Sequence, residues 1–219
     1  MLRRFWIAVA LPLLVTRLAG QSTDALVVAP DSVAARELAD IHGLDTSIVI
    51  EARYATSNNF TGRPLPGYLA NKAFLRQEAA LALVRVQRRL QSGGMGLKIF
   101  DGYRPVRATQ AMVDWARHTG QMHLIEDGYI ASRSRHNLGL AVDLTLVDWS
   151  VGGREVDMGT PFDTFSEAAH WANATGRTMR YRQLLRTMME SEGFKQYDQE
   201  WWHYTFEAPD PVPFDVPVQ

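Results

Sequence analysis

The chain contains no cysteine. That excludes disulfides, thiolate nucleophiles, cysteine lipidation and every Cys-built metal site, so any bound metal must be held by His, Asp or Glu. It also lacks a charge excess: a net charge of −1 at pH 7 over 219 residues leaves no electrostatic footprint for nucleic acid, and no nucleic-acid partner is expected. Internal repeats and a Gly-rich phosphate loop are both missing, which removes solenoids and nucleotide-cradling folds. No apolar run approaches the roughly 20 residues a membrane-spanning helix needs. The nearest, Phe5 to Val15, is interrupted by Pro12, preceded by Arg3 and Arg4, and followed by Leu18-Ala19-Gly20. Residues 1–20 therefore read as an export signal. A periplasmic or otherwise exported location without stable membrane insertion is expected once the signal is removed, or a cytoplasmic one if the segment is not a working signal. The sequence leaves the oligomeric state open.

What is present is ordinary globular material, 46% apolar and 21% charged, enough for one substantial core and hence one domain over residues 21–219. Asp31-Ser32 predicts the cap of a short helix through Ala39, and Ser47 to Ile50 is strand-like. Tyr54 to Tyr68 carries Asn58-Asn59, Thr61-Gly62, Pro64 and Pro66-Gly67, which predict a long ordered loop. Helical spacing of Leu75, Ala79, Leu83, Val86 and Leu90 predicts a helix over 75–90, ended by Gly93-Gly94. Leu97 to Phe100 alternates as a strand and enters the turn Asp101-Gly102-Tyr103-Arg104-Pro105, after which a helix is expected from Val106 past Trp115 to Gly120. Gln121 to Arg135 is weakly periodic and returns the chain over the surface. Leu140 to Val147 is a strand, Gly152-Gly153 a hairpin-like turn, Arg180 to Glu192 a helix with Leu184, Leu185, Met188 and Met189 as its stripe, and Trp201 to Phe206 a last strand. The tail from Pro209 to Pro217 is too Pro-rich for regular structure. Strands and helices mix without βαβ regularity, so the predicted fold is a single α+β domain with a central, mainly antiparallel sheet flanked by helices.

Chemistry concentrates in two stretches. Ser132 to Leu146 sets His136 and Asp143 around Gly139, and Glu200-Trp201-Trp202-His203-Tyr204 adds a second acid and a second imidazole. Asp143 lies among Leu140, Ala141, Val142, Leu144 and Leu146, where a buried carboxylate is costly unless paired or metal-bound. Its strand parity, shared with Ala141 and Thr145, also fits a solvent face. Two imidazoles and one carboxylate make a zinc site with one position open, and a remaining glutamate, Glu200, suits a base. Taken singly, each histidine fits a structural role as well, and Arg104 at its turn fits either an oxyanion stabiliser or a surface salt bridge.

Five blocks in order resemble the D-alanyl-D-alanine dipeptidase family, the VanX-like zinc D,D-dipeptidases. They are Tyr54-Ala55-Thr56 with Asn59 to Gly62, Asp101 to Pro105, Ser134-x-His136 through Ala141 to Leu146, Met158 to Ser166, and Glu200 to Tyr204. The resemblance implies the zinc D,D-peptidase fold, one zinc ion held by His136, Asp143 and His203, Glu200 as general base and acid, and Arg104 stabilising the tetrahedral intermediate. It further implies that Ser134 holds the substrate carboxylate and that Asp163, with Asp157 behind it, receives the free amino group, while the Tyr54 loop contributes to the substrate pocket. The implied reaction is hydrolysis of the D-Ala-D-Ala dipeptide, a small-molecule partner. The alternatives are a zinc D,D-carboxypeptidase or endopeptidase acting on peptidoglycan stem peptides, and a catalytically inactive cell-wall peptide-binding domain. Asn137-Leu138 departs from the Ser-Arg pair common in the family, which places the question of substrate range beside the first zinc ligand.

Overall fold

The apolar strand predicted around Val142 and Leu144 is the middle of the sheet in the computed structural model, which describes residues 26–209 and 211–219. The expected export signal over residues 1–20 lies outside the described residues. The elements in order are α1 (Asp31–Glu37), β1 (Leu38–Asp40), α2 (Ile41–Leu44), β2 (Val49–Ile50), β3 (Phe74–Arg76), α3 (Gln77–Gln91) and β4 (Met95–Asp101). They continue with α4 (Val106–His118), α5 (His123–Glu126), β5 (Ala141–Asp148), β6 (Arg154–Glu155), α6 (Gly176–Glu190), β7 (Phe194–Gln196) and β8 (His203–Phe206). The main sheet runs β2-β4-β5-β8-β7, with β6 also on β5, and a separate pair joins β1 to β3. Among the described residues of the main sheet only β2 against β4 is parallel, so the mainly antiparallel α+β architecture is as predicted.

Both faces of β5 are covered, which decides the ambiguity at Asp143. Val142, Leu144 and Leu146 pack with Leu83 and Val86 of α3 and with Leu185 and Met189 of α6. The opposite side is closed by a second cluster built from α4, the Tyr54–Tyr68 loop and the C-terminal tail, including Tyr54, Tyr68, Met112 and Phe214. Asp143 is consequently only 3% exposed; the solvent-face reading of its parity does not hold.

Several boundaries move for identifiable reasons. Leu75 is not in the helix but in β3, where it pairs with Ala39; its apolar side chain serves either element, and periodicity cannot choose. At α1 the cap position is Pro30, with no side-chain cap bond, and Asp31 lies in the first turn, where its charge complements the helix dipole. The third long helix starts earlier, at Gly176. Trp201 and Trp202 belong to a turn ahead of β8, because the Trp201 N–H is taken by the Ala169 carbonyl at 3.0 Å. The tail lacks regular structure, as expected, yet it is firmly seated. Phe214 is fully buried, its N–H donates to the Asn137 carbonyl at 2.9 Å, and Arg107 binds Asp215 through Nε at 3.0 Å. Among the described residues no helix is long and apolar enough to cross a membrane.

Candidate metal centre

Strand register brings the site together. Asp101 on β4 stands opposite Asp143 on β5, and Asp143 stands opposite His203 on β8. Directly opposed residues of antiparallel strands share a face, so three polar side chains form a row across the sheet. A register irregularity between Ile99 and Asp101 restores Asp101 to that face. His136 approaches from a 3-10 turn over Arg135–Leu138, whose cap Ser134 accepts the His136 N–H on its hydroxyl at 3.2 Å. Gly139 ends that turn in the left-handed region at φ 67, and a Cβ there would stand 2.7 Å from the Leu38 side chain. Glycine is therefore required where the chain swings into β5.

The donor atoms converge. His136 Nε2 lies 3.2 Å from His203 Nδ1 and 3.3 Å from Asp143 Oδ2, and His203 Nδ1 is 2.8 Å from Asp143 Oδ1. Donors bound tetrahedrally to zinc at roughly 2.0–2.1 Å lie about 3.3 Å from one another, so this buried N,N,O set fits one zinc ion per chain. The other nitrogen of His136, Nδ1, faces the Gly102 carbonyl at 2.7 Å. That bond fixes the tautomer and leaves Nε2 free to bind metal. Burial alone would raise the Asp143 carboxyl, but the two imidazoles outweigh it and hold the group well below the usual carboxylate range.

Glu200 precedes β8 in a turn closed by its N–H to the Tyr197 carbonyl, and its Oε2 lies 3.9 Å from His203 Nδ1. Burial, reinforced by Asp143, pushes its carboxyl up to about 8, against the pull of His136 and Arg104. Positive charge held at the donor cluster would oppose that rise and favour the carboxylate. Arg104 is at the cavity wall and 9% exposed, so its surface-salt-bridge reading is excluded. Its Nε donates to Asp101 Oδ2 at 2.9 Å, its guanidinium stacks 5.0 Å from the Tyr54 ring centre, and Nη2 is 3.7 Å from Asp143 Oδ2.

These groups line one cavity of about 250 Å³, together with Ser134, Tyr54 and Asp163. The Tyr54 hydroxyl donates to Asp163 Oδ1 at 3.0 Å, while Asp163 Oδ2 is buried without a hydrogen-bond partner. Asp163 holds a left-handed backbone at φ 62, a conformation Asp tolerates better than most residues. Burial and the neighbouring Asp143 hold its carboxyl well above its ordinary value. Asp157, its understudy in the sequence, lies elsewhere and accepts the Gly159 N–H at 2.8 Å. Gly128 to Ala131, Arg133 and Ser134 supply one wall and Phe60 of the long loop another, the latter as expected of the Tyr54 loop.

A family profile described as D-ala-D-ala dipeptidase matches residues 34–215. The chain belongs to that family. It is 37% identical over 188 residues to a D-alanyl-D-alanine dipeptidase of Enterococcus faecium, covering 77% of this chain and 92% of that one. Against the D-alanyl-D-alanine dipeptidase of Streptomyces coelicolor it is 37% identical over 199 residues, covering 83% and 98%. The Enterococcus faecalis enzyme of the same description is 38% identical over 169 residues, covering 70% and 83%.

The departure from the family at Asn137 acquires a structural meaning. Its side chain points away from the cavity: Nδ2 donates to the Arg104 carbonyl at 2.9 Å and to Thr109 Oγ1 at 2.8 Å, and Oδ1 accepts the Ser134 N–H at 3.1 Å. It thus ties the His136 turn to the Arg104 turn without touching the substrate space. Asp101, which opens the Arg104 block, has its role in contacts that no motif announces. It accepts from Tyr68 at 2.5 Å, from Arg104, and faces His136 Nδ1 at 3.4 Å. Asp101→Asn is expected to lower kcat/KM by about 10–100-fold, the usual cost of losing such support for a metal ligand, in protein that still folds with its zinc. Unchanged kcat/KM at saturating zinc would remove Asp101 from the working site.

Proposed function

We propose that this chain hydrolyses the free D-alanyl-D-alanine dipeptide to two D-alanines, using one zinc ion. The observation that carries this reading is an acid, Asp163, that lines the same small cavity as the zinc donors and has a buried oxygen without a hydrogen-bond partner. A carboxylate so placed suits the ammonium end of a short substrate. Longer acyl-peptides lack that charge, and their chain would have to occupy the space Asp163 takes.

His136, Asp143 and His203 would hold the zinc ion, which would supply Lewis acidity for the scissile carbonyl and for the attacking water. Glu200 takes a proton from the attacking water and delivers it to the departing amine, so the C–N bond breaks as one water is consumed. Arg104, held in place by Asp101 and Tyr54, donates to the carbonyl oxygen as it gains negative charge. The Ser134 hydroxyl accepts the His136 N–H, which leaves its own hydrogen for the substrate carboxylate. Asp163 receives the ammonium on Oδ2 and gains charge as it does, Tyr54 steadying Oδ1. Export through residues 1–20 is part of the same proposal and places the substrate outside the cytoplasm.

The decisive comparison is zinc-loaded protein on free D-Ala-D-Ala, N-acetyl-D-Ala-D-Ala and a stem pentapeptide. The free dipeptide is expected to be preferred by at least about 100-fold in kcat/KM, because acetylation leaves a buried acid unpaired. Equal or faster cleavage of either blocked substrate would support the carboxypeptidase alternative and sink the dipeptidase reading.

A further inference from the structure

We propose that Arg182 of α6 is the positioning residue for the amino-end specificity of this site, clamping both ends of the loop that presents Asp163. The inference rests on the dipeptidase reading above.

Arg182 is fully buried, and its guanidinium hydrogen bonds run to backbone carbonyls. Nε donates to Met158 at 2.8 Å, Nη1 to His170 at 2.7 Å and Trp171 at 3.3 Å, and Nη2 to Ala168 at 3.3 Å. Met158 opens the segment and Ala168 to Trp171 close it, with Asp163 midway between them. A planar fork with several fixed donors can join two stretches of backbone in this manner, where a point charge cannot. Gly159 makes room for the fork. Its φ is +93, and a Cβ there would lie 2.9 Å from Thr178 Cγ2 and 3.2 Å from Arg182 Nη2.

The clamp reaches the cavity twice. Its first arm fixes the start of the turn that holds Asp163 at its left-handed φ of 62, a conformation that persists only when its surroundings enforce it. The second arm fixes His170, whose Nε2 is 3.0 Å from the Tyr129 hydroxyl, and Tyr129 lines the cavity. None of the zinc donors, nor Glu200 or Arg104, is hydrogen-bonded to the Arg182 side chain, whose bonds run to Met158, His170, Trp171 and Ala168. The clamped segment also meets the turn that carries Glu200, the Ala169 carbonyl accepting the Trp201 N–H at 3.0 Å and the Trp171 N–H donating to the Asp198 carbonyl at 2.8 Å. The clamp is therefore read at the ammonium end by comparing free with acetylated substrate, a ratio that an effect on Glu200 common to both leaves unchanged.

The test compares wild type, Arg182→Lys and Gly159→Ala, each zinc-loaded, on free and N-acetylated D-Ala-D-Ala. Lys keeps the charge but loses the fork; the alanine methyl strains the left-handed backbone at Gly159 and crowds Thr178 and the fork together, disturbing the loop end from the other side. In both variants KM for the free dipeptide is expected to rise by about tenfold or more while kcat stays within about threefold. The ratio of kcat/KM between free and acetylated substrate should shrink accordingly, with zinc content unchanged. Folded, zinc-loaded variants with wild-type KM and discrimination would overturn the proposal while leaving the dipeptidase reading intact. A fall in zinc content, or failure of both variants to fold, would assign Arg182 to general stability and overturn it as well. Wild-type protein inert on the free dipeptide would remove both readings together.

Discussion

Glu200→Gln is expected to lower kcat by about 10⁴-fold while leaving one zinc bound per chain. The substitution keeps the shape of the side chain and removes its ability to take a proton. General acid–base catalysis by one positioned group contributes about 10²–10⁴-fold, and here the same carboxyl serves both the water and the leaving amine, which places the loss at the upper end. About 10⁴-fold corresponds to roughly 5 kcal/mol of barrier. Zinc should stay because Glu200 is not in the donor set; its nearer oxygen is 3.9 Å from His203 Nδ1, while the three donors lie within about one hydrogen-bond length of one another. Glu200 is buried, and the amide matches the carboxylate in shape without a charge to desolvate, so Gln fits the same space. Metal analysis beside single-turnover kinetics decides the matter. If zinc is lost in step with activity, Glu200 is a ligand and the assigned role is wrong.

How much of this was legible in the sequence depends on how local the determining contact is. The Val142–Leu146 run announces a buried strand because every second residue must meet apolar partners, and the 106–118 helix follows from its own periodicity. The zinc donors were legible as types and as blocks, but their convergence depends on Asp143 facing His203 across β5 and β8, sixty residues apart in the chain. Register of that kind leaves no local trace. The same holds for Asp101, whose function lies in contacts with Tyr68, Arg104 and His136. Asn137 reads in the sequence as a departure beside the first zinc ligand, and its hydrogen bonds turn it toward Arg104 and Thr109. Arg182 did leave a signal, since it falls on the same helical stripe as Leu185 and Met189. A charged residue on a buried face means a partner must exist, but only the fold reveals that the partners are carbonyls of the Asp163 loop.

The second large effect separates metal from base. Asp143→Asn is expected to lower zinc affinity by more than the about 10–100-fold that follows loss of a supporting contact, because a charged donor itself is replaced by a weaker neutral one. Activity at limiting zinc falls with it. The strand should survive, since Asn is isosteric and the apolar packing of Val142 and Leu144 lies on the other face. The acid stability of metal-free protein changes too. The Asp143 carboxyl is held below its ordinary value, so it contributes stability that is fully present above the unfolded pKa of about 4 and is lost as pH falls toward the lower folded value; the Asn variant lacks that part of the pH dependence. Titrating free zinc then discriminates the two lesions. Asp143→Asn should regain part of its turnover as zinc is raised, because Glu200 and Arg104 are intact, whereas no zinc concentration restores Glu200→Gln. Full zinc occupancy of Asp143→Asn at limiting metal would mean that the two imidazoles suffice to hold the ion and that Asp143 serves only to orient them.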